Sequence, residues 1–356
     1  MRGGHAKGSL VLGGRRVTVR KPRARSTAKR EVVLPSWSAF SSSDPLDERA
    51  VEQMVVGVTT RKYVRSLEPL AEGVVARGTS KSAVSRRFVE LTTEQMAAWL
   101  RHDLSGLDLV AMMIDGIVFK DHVMLIAIGI DVEGRKHVLG MHEGATENEV
   151  ACTALVTGLR DRGLRTDRAM LIVIDGGKAL RASIREVFGA RALVQRCQVH
   201  KMRNVTDHLP DDAAQAAKKV MQQAYRSGDR EVAKRLLKNL ARQLRTNHPS
   251  AAASVEEGLD ETLTVMALEL PRALERTLSS TNVIENLNSR IRDMSRRVKR
   301  WKDGTMIERW TVTAVLEASK RFRRLRGYKS IKKLVTALRE HDARLARKFA
   351  SQKEAA

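Results

Sequence analysis

Leu109-Val-Ala-Met-Met-Ile-Asp115 and Val123-Met-Leu-Ile-Ala-Ile-Gly-Ile-Asp131 decide the fold. Each is a short, nearly continuous apolar run, the pattern of a buried strand, and Gly116 to His122 joins the two. After the turn Val132-Glu-Gly-Arg, Lys136-His-Val-Leu-Gly-Met predicts a third strand. The period then changes to four. Ala151, Leu155 and Leu159 mark a helix, with Glu147 and Glu149 near its N-terminus, where the helix dipole favours acids. Ala169-Met-Leu-Ile-Val-Ile-Asp175 reads as a fourth strand, Leu180, Ile184, Val187 and Phe188 line a second helix, and Ala192-Leu-Val-Gln-Arg-Cys197 reads as a fifth strand.

This order predicts an α/β sheet that opens with an antiparallel hairpin and continues by parallel crossovers, matching a ribonuclease H-like fold. The α/β part covers 106–200 and takes up a returning helix over 279–300, and residues 201–278 between them read as almost purely helical. Residues 301–356 read as a basic helical region. Upstream, 46–105 reads as short amphipathic helices broken near Thr59, Pro69 and Gly78. The last piece places Val84, Phe88 and Leu91 on one face and leaves Ser82, Ser85, Arg86 and Arg87 off it. A helix-turn-helix presents its recognition helix to a major groove in this way; a three-helix bundle with a basic surface is the plainer reading. Residues 1–45 read as a basic arm, with strand-like pieces such as Arg16-Val-Thr-Val, followed by a Ser-rich linker from Pro35 to Pro45.

The 356 residues carry Lys+Arg 65 against Asp+Glu 41, a formal charge of +24 that calls for a polyanionic partner. A membrane partner is disfavoured, because no run reaches the roughly eighteen apolar residues a spanning helix needs and the start lacks a signal peptide's apolar stretch. Two cysteines, Cys152 and Cys197, exclude a disulfide framework of the secreted kind. Aromatics at 4% argue against single-strand stacking platforms. Double-stranded DNA held through its phosphates in the cytoplasm, at the nucleoid, is the expected setting.

Two apolar runs end in an acid followed by glycine, Ile114-Asp115-Gly116 and Ile174-Asp175-Gly176. An acid at the C-terminal edge of a strand lies where sheets carry ligands, and the glycine lets a phosphate approach. Two such acids can share divalent cations. Paired Mg²⁺ ions about 4 Å apart activate an attacking oxygen and stabilise the leaving one in a phosphodiester displacement. Ligation by oxygen alone favours two Mg²⁺ ions, or Mn²⁺ in their place, over zinc. Each Asp-Gly alone is equally a turn. Asp131 also ends an apolar run, but its place before Glu133-Gly134 suits a hairpin tip.

A third carboxylate is expected from a returning helix, where Ile284, Leu287, Ile291, Met294 and Val298 form an apolar stripe with Glu285 at its edge. Asn282 followed by Glu285 is also a capping box, and both readings stand. Beyond it, Arg290, Arg292, Arg296, Arg297, Lys299, Arg300 and Lys302 form a basic face suited to a phosphate backbone. Cys197-Gln-Val-His200 is half of a zinc site without its other half, so a hydrogen bond from His200 or contact with DNA is favoured.

Together, Ile114-Asp115-Gly116, Val173-Ile-Asp175-Gly-Gly-Lys-Ala-Leu, Gln195-Arg-Cys-Gln-Val-His200-Lys and Ser280-Thr-Asn-Val-Ile-Glu285 resemble the bacterial mutator-type transposases named after insertion sequence 256, over about Val11 to Leu338. The resemblance implies that Asp115, Asp175 and Glu285 are the metal-binding catalytic triad of a core over 106–200 and 279–300, that the helices of 201–278 form an insertion domain within it, and that Cys197 and His200 form the family's Cys-x-x-His motif. It implies nicking at terminal inverted repeats and attack of the exposed 3′-hydroxyl on target DNA. At least a dimer is implied when two ends are brought together. Family members usually carry a further helical segment before the stretch corresponding to Ser9-Leu-Val-Leu-Gly-Gly-Arg-Arg, so either a misplaced start codon or an N-terminally shortened chain is expected. An inactive remnant acting only as a DNA-binding protein, a transcriptional regulator and a nuclease that cuts without joining are the alternatives.

Overall fold

In the computed structural model, which describes residues 2–12, 14–28, 30–42, 46–144 and 148–354, the strand-like pieces of the basic N-terminal segment become a long antiparallel hairpin. Strands β1 (Arg2–Leu12) and β2 (Arg15–Arg25) pair Leu10 with Val17 and Leu12 with Arg15, turning at Gly14, whose φ of +80° suits glycine. Strand β3 (Glu31–Val32) adds to the end of β2. The expected linker is instead helix α1 (Pro35–Ser42) over its described part; Pro45 and its neighbours 43–44 lie outside the described residues. Pro35 is tolerated at the first helical position, where its missing N–H has no intrahelical partner. Trp37 packs on Gly8, where a Cβ would meet the indole at 2.4 Å.

Helix α2 (Leu46–Val55), a 3₁₀ turn at Tyr63–Ser66, strand β4 (Ala76–Arg77) and helix α3 (Lys81–Leu100) follow. Strand β4 pairs with Arg16 and Val17 of β2 and departs from the all-helical expectation, since two residues carry no periodicity. Ser80 Oγ accepts from Ala83 N at 3.3 Å at the start of α3. The helix buries Val84, Phe88, Thr92 and Met96; Leu91, expected on that stripe, is half-buried because the stripe runs on at four-residue spacing. Phe88 meets the Trp310 ring at 4.9 Å. These elements, with Arg292–Arg300 and Arg309–Glu317, form one unit of the chain.

The other unit comprises Leu100–Ile291, Trp301–Glu308 and Ala318–Ala356. Its sheet contains β5 (Leu109–Phe119), β6 (His122–Asp131), β7 (Lys136–Gly144), β8 (Met170–Ile174) and β9 (Ala192–Arg196), in the order β7-β6-β5-β8-β9. Pairing of β5, β6 and β7 is antiparallel, and that of β5, β8 and β9 is parallel, as the apolar runs predict. The expected joint from Gly116 to His122 is mostly strand. The β5–β6 hairpin closes at Lys120, which takes a φ of +53°. Asp131 is a hairpin tip: its Oδ1 accepts from the backbone N–H groups of Glu133 (2.9 Å) and Arg135 (2.8 Å).

Helices α4 (Glu149–Asp161) and α5 (Lys178–Phe188) cover one face of the sheet, burying Ala151, Leu155 and Leu159 and Leu180, Ile184 and Phe188 against Met112, Ile114, Ile172 and Ile174. Asn148 caps α4 by accepting from Ala151 N at 2.9 Å; Glu147, expected at this helix start, lies outside the described residues. Helices α6 (Gln198–Thr206), α7 (Asp211–Arg226), α8 (Arg230–Leu244), α9 (Pro249–Glu256), α10 (Leu259–Thr262) and α11 (Arg272–Leu278) make up the helical stretch after β9. Its core is its own, centred on Met221, Leu237, Leu240, Val255 and Leu263. Gln195 pins it to the sheet, donating to Thr262 O (2.9 Å) and accepting from Val265 N (2.8 Å). Helix α12 (Asn282–Ser295) returns the chain, followed by α13 (Gly304–Ser319) and α14 (Ile331–Glu354). Because α12 ends at Ser295, Val298 does not extend its stripe.

Candidate active site

Register and parity bring Asp115 and Asp175 together. Parallel pairing of β5 with β8 runs Ala111–Leu171, Met112–Ile172, Met113–Val173, so Asp115 and Asp175 stand at the same level. Met112, Ile114, Ile172 and Ile174 face α4 and α5, so strand alternation turns both acids to the opposite face. One expectation needs correction. Asp115 lies within β5, which runs four residues further while paired to β6. It is the β8 side that is open there, because β8 ends at Ile174.

The turn after Asp175 is fixed from two directions. Asp175 Oδ1 accepts from Gly177 N at 2.9 Å, so the turn reading of Asp-Gly is also true. Buried Arg196 donates to Gly176 O and, at 2.9 Å, to Glu257 O. Gly176 has φ +114°, a conformation that favours glycine, and a Cβ there would push on the Arg196 guanidinium. Gly176→Ala is therefore expected to cost about 1–3 kcal/mol, readable as a lower urea midpoint; an unchanged midpoint would mean the turn adapts freely.

Glu285 sits on α12 beside the same centre. Thr281, not Asn282, precedes the helix, and its carbonyl accepts from Ile284 N and Glu285 N, both at 3.0 Å. Glu285 is four residues after the capping position, one beyond the capping-box place, so that reading fails on geometry. Its Oε1 accepts from the Thr281 hydroxyl at 2.8 Å and lies 3.7 Å from His200 Nε2.

Fully buried Thr281 is a hub that sequence reading missed. Its Oγ1 is 3.3 Å from Cys197 Sγ and 3.3 Å from His200 Nδ1. Cys197 Sγ also accepts from the backbone N–H groups of Thr281 (3.4 Å) and His200 (3.5 Å). Cys197, His200 and Glu285 offer ligand atoms within 4.8 Å of one another. The Thr281 hydroxyl has one proton, which the 2.8 Å contact assigns to Glu285, and its oxygen lies 3.3 Å from each of the other two, so the three residues are joined in one hydrogen-bonded network. Asn288, also missed, donates to Asp115 Oδ2 at 2.9 Å and is buried. Thr281 lies four residues before Glu285 and Asn288 three after it, so helical spacing alone carried the signal.

Burial, then the neighbouring Asp175 charge, raises the Asp115 pKa, with Glu285 adding to it; the Gly116 N–H and His200 pull the other way. The hydrogen bond to Cys197 is the largest influence on His200, and although burial opposes it, Cys197, Glu285 and Asp115 help carry its pKa up to about 9. Burial pushes the Cys197 thiol up, but hydrogen bonds from His200 and Thr281 outweigh it and the net direction is down. Among the described residues no Lys or Arg forms an ion pair with Asp115, Asp175 or Glu285, in a chain of net charge +24. Crowded oxygen donors with no Lys or Arg paired to them fit hard divalent cations.

Because the Asp115 pKa is raised on folding, its charge costs stability as pH rises through the carboxylate range. Asp115→Asn, which keeps an acceptor for Asn288, is expected to raise the metal-free unfolding temperature at neutral pH. At low pH, where Asp115 is protonated, the difference should shrink. A lower melting temperature at neutral pH would contradict the repulsion.

The other expected contacts are spread over the chain. Ser82, Ser85 and Arg86 are exposed on α3, while Arg87 is half-buried and paired with Glu90 at 2.9 Å. Arg290 is exposed on α12; Arg292, Arg296, Arg297, Lys299 and Arg300 are exposed too, with Arg297 donating to Gly57 O. No helix among the described residues is long and apolar enough to cross a membrane.

The family model described as "Transposase, Mutator family" matches residues 1–324. The chain belongs to the mutator family of transposases. Among similar proteins, the transposase for insertion sequence element ISRM5 of Rhizobium meliloti is 30% identical over 298 residues, 82% of this chain and 72% of that protein. The transposase for IS905 of Lactococcus lactis is 25% identical over 82% of this chain and 73% of its own length. That for IS256 in transposon Tn4001 of Staphylococcus aureus is 27% identical over 73% and 66%. This agrees with the family expected from the Asp-Gly, Cys-x-x-His and Ser-Thr-Asn-Val-Ile-Glu motifs of this mutator transposase.

Proposed function

We propose that this transposase nicks DNA at the terminal inverted repeats of an insertion sequence and transfers the exposed 3′-hydroxyl into target DNA, using Asp115, Asp175 and Glu285. The observation that carries the reading is the level, same-face placement of Asp115 and Asp175, with Glu285 close enough to raise the Asp115 pKa further. The sheet order β7-β6-β5-β8-β9, with three antiparallel strands followed by parallel ones, supports a ribonuclease H-like core.

The three carboxylates would hold two Mg²⁺ ions, or Mn²⁺, which when bound supply activation of the attacking oxygen and stabilisation of the leaving one. The chain's own residues set the geometry. Asn288 fixes one oxygen of Asp115, Thr281 fixes one of Glu285, and Arg196 holds the Gly176 turn, leaving the side of Asp175 without a side chain. His200, its pKa carried up to about 9 with the Cys197 hydrogen bond as the largest cause, stands 3.7 Å from Glu285 and when protonated would offset part of the acidic charge. In the first step water attacks phosphorus and the P–O3′ bond breaks, leaving a 3′-hydroxyl and a 5′-phosphate. In the second step that hydroxyl attacks a target phosphorus and displaces the target's own 3′-oxygen. The exposed residues of α3 and of 290–300 are suited to DNA phosphates and groove edges, which would place the protein on the nucleoid. Joining two ends calls for at least two copies.

Purified protein, labelled inverted-repeat duplex and a target plasmid in Mg²⁺ test this reading. Nicks with 3′-hydroxyl ends and joined products are expected. Persistent binding without cleavage in Mg²⁺ or Mn²⁺ would overturn it, and nicks without joining would reduce the activity to a nuclease.

A further inference from the structure

We propose that the cleft between α6, α7, α11 and the first residue of α12 receives one unpaired nucleotide of the DNA being processed. Its phosphate would lie on Arg226 and Arg276, and its base against Val199 and Met202. This rests on the reading that the chain cuts and joins DNA, and it assigns a strand position within that activity.

The cleft has a volume of about 430 Å³, within the range of small-ligand sites, and no room for a duplex. Three guanidinium groups enter it: Arg226 ends α7, Arg272 begins α11, and Arg276 lies one turn further on. The one acid among the lining side chains, Glu275, is paired with Arg272 at 3.1 Å. Arg226 and Arg276 are exposed and form no ion pair among the described residues. Gln198 and Gln222 add amides, each offering a donor and an acceptor to a base edge. Half-buried Val199 and Met202 supply an apolar wall. A cleft with cations, amides and an apolar face suits a phosphate with a flat heterocycle better than a bare anion.

Position ties the cleft to the carboxylates. Ser280 and Asn282 line it, while Thr281 between them directs its hydroxyl to Glu285. Gln198 lines it as well, and its backbone N–H bonds Ser279 O at 3.0 Å beside Cys197. The segment 279–282 thus forms the cleft's wall and carries the hydrogen bond to Glu285, so the cleft and that carboxylate share one stretch of chain. Extruding a base costs a few kcal/mol, least where pairing is already broken, as at a nicked end.

The test uses labelled inverted-repeat duplexes in which single phosphates around the cleavage position are replaced by neutral methylphosphonates. Full-length wild type is compared with R226Q/R276Q, both positions being exposed and outside the core. The variant should bind more weakly, with the slope of log affinity against log salt reduced by about 1, and should nick more slowly. One methylphosphonate position should weaken the wild type by the same factor and leave the variant unchanged, and removing the base there should weaken the wild type as well. R226K/R276K should restore the salt slope. If each methylphosphonate weakens both proteins alike, or the variant keeps the wild-type slope, the cleft is not a nucleotide site, while cleavage by the wild type would leave the proposed function standing. A wild type that binds but never cuts such DNA would overturn the function and this inference together.

Discussion

Asp175→Asn is expected to remove DNA cleavage, a fall of about 10³-fold or more, the scale lost when a preorganised charged group at a reacting centre is deleted. The substitution is nearly isosteric. Its side-chain oxygen can still accept from Gly177 N, so the turn held by Gly176 and Arg196 should survive. DNA affinity should stay intact or rise slightly, because one negative charge leaves a face that meets phosphates. Gel-shift and nicking assays on one preparation separate the effects. Wild-type cleavage by the variant would remove Asp175 from the reaction, and lost binding with lost cleavage would point to misfolding.

The second large effect is expected at Glu285. Glu285→Gln keeps an oxygen for the Thr281 hydroxyl but removes the ligand charge, so folding should persist while nicking is lost to a similar degree as at Asp175. Thr281→Val then isolates the positioning role. Valine keeps the branched shape in a fully buried site and deletes the one hydroxyl that touches Cys197, His200 and Glu285. Removal of such supporting hydrogen bonds typically costs about 10–100-fold in activity. Thr281→Ser should recover most of it. If serine and valine behave alike, the hydroxyl is not what holds Glu285. If Glu285→Gln unfolds the protein yet its folded fraction nicks normally, Glu285 is a structural residue.

The sheet was legible because its strands are buried on both faces and therefore read as continuous apolar runs bounded by glycine, acid or turn residues. The crossover helices showed their four-residue spacing, with Leu155, Leu159, Leu180 and Ile184 buried as their positions implied. The ends of β5 were less clear. Gly116, Lys120 and Asp121 look like turn residues, yet cross-strand pairing with β6 carries the strand to Phe119. The N-terminal hairpin was only partly legible: strand-like pieces such as Arg16-Val-Thr-Val stood out, but Arg15, Arg16, Arg20 and Lys21 mask the alternation of Val17 and Val19 that pairs it with β1. Among site residues, the two aspartates announced themselves by ending or interrupting apolar runs. Thr281, Asn288 and Arg196 did not: Cys197, Asp115 and Gly176, which they respectively contact, are distant in sequence, and only the helical spacing of Thr281 and Asn288 from Glu285 hinted at a shared site. Glu285 was ambiguous until the helix start was known, since a shift of one residue separates a capping box from a carboxylate held by Thr281 beside His200.

The most direct measurement is anomalous diffraction from crystals of the protein soaked in Mn²⁺. Density between the carboxylates of Asp115 and Asp175, extending to Glu285 and absent from Asp175→Asn crystals, is expected of a shared metal site. A peak confined to Cys197 and His200, or no bound ion beside Asp115 and Asp175 at saturating Mn²⁺, would contradict it.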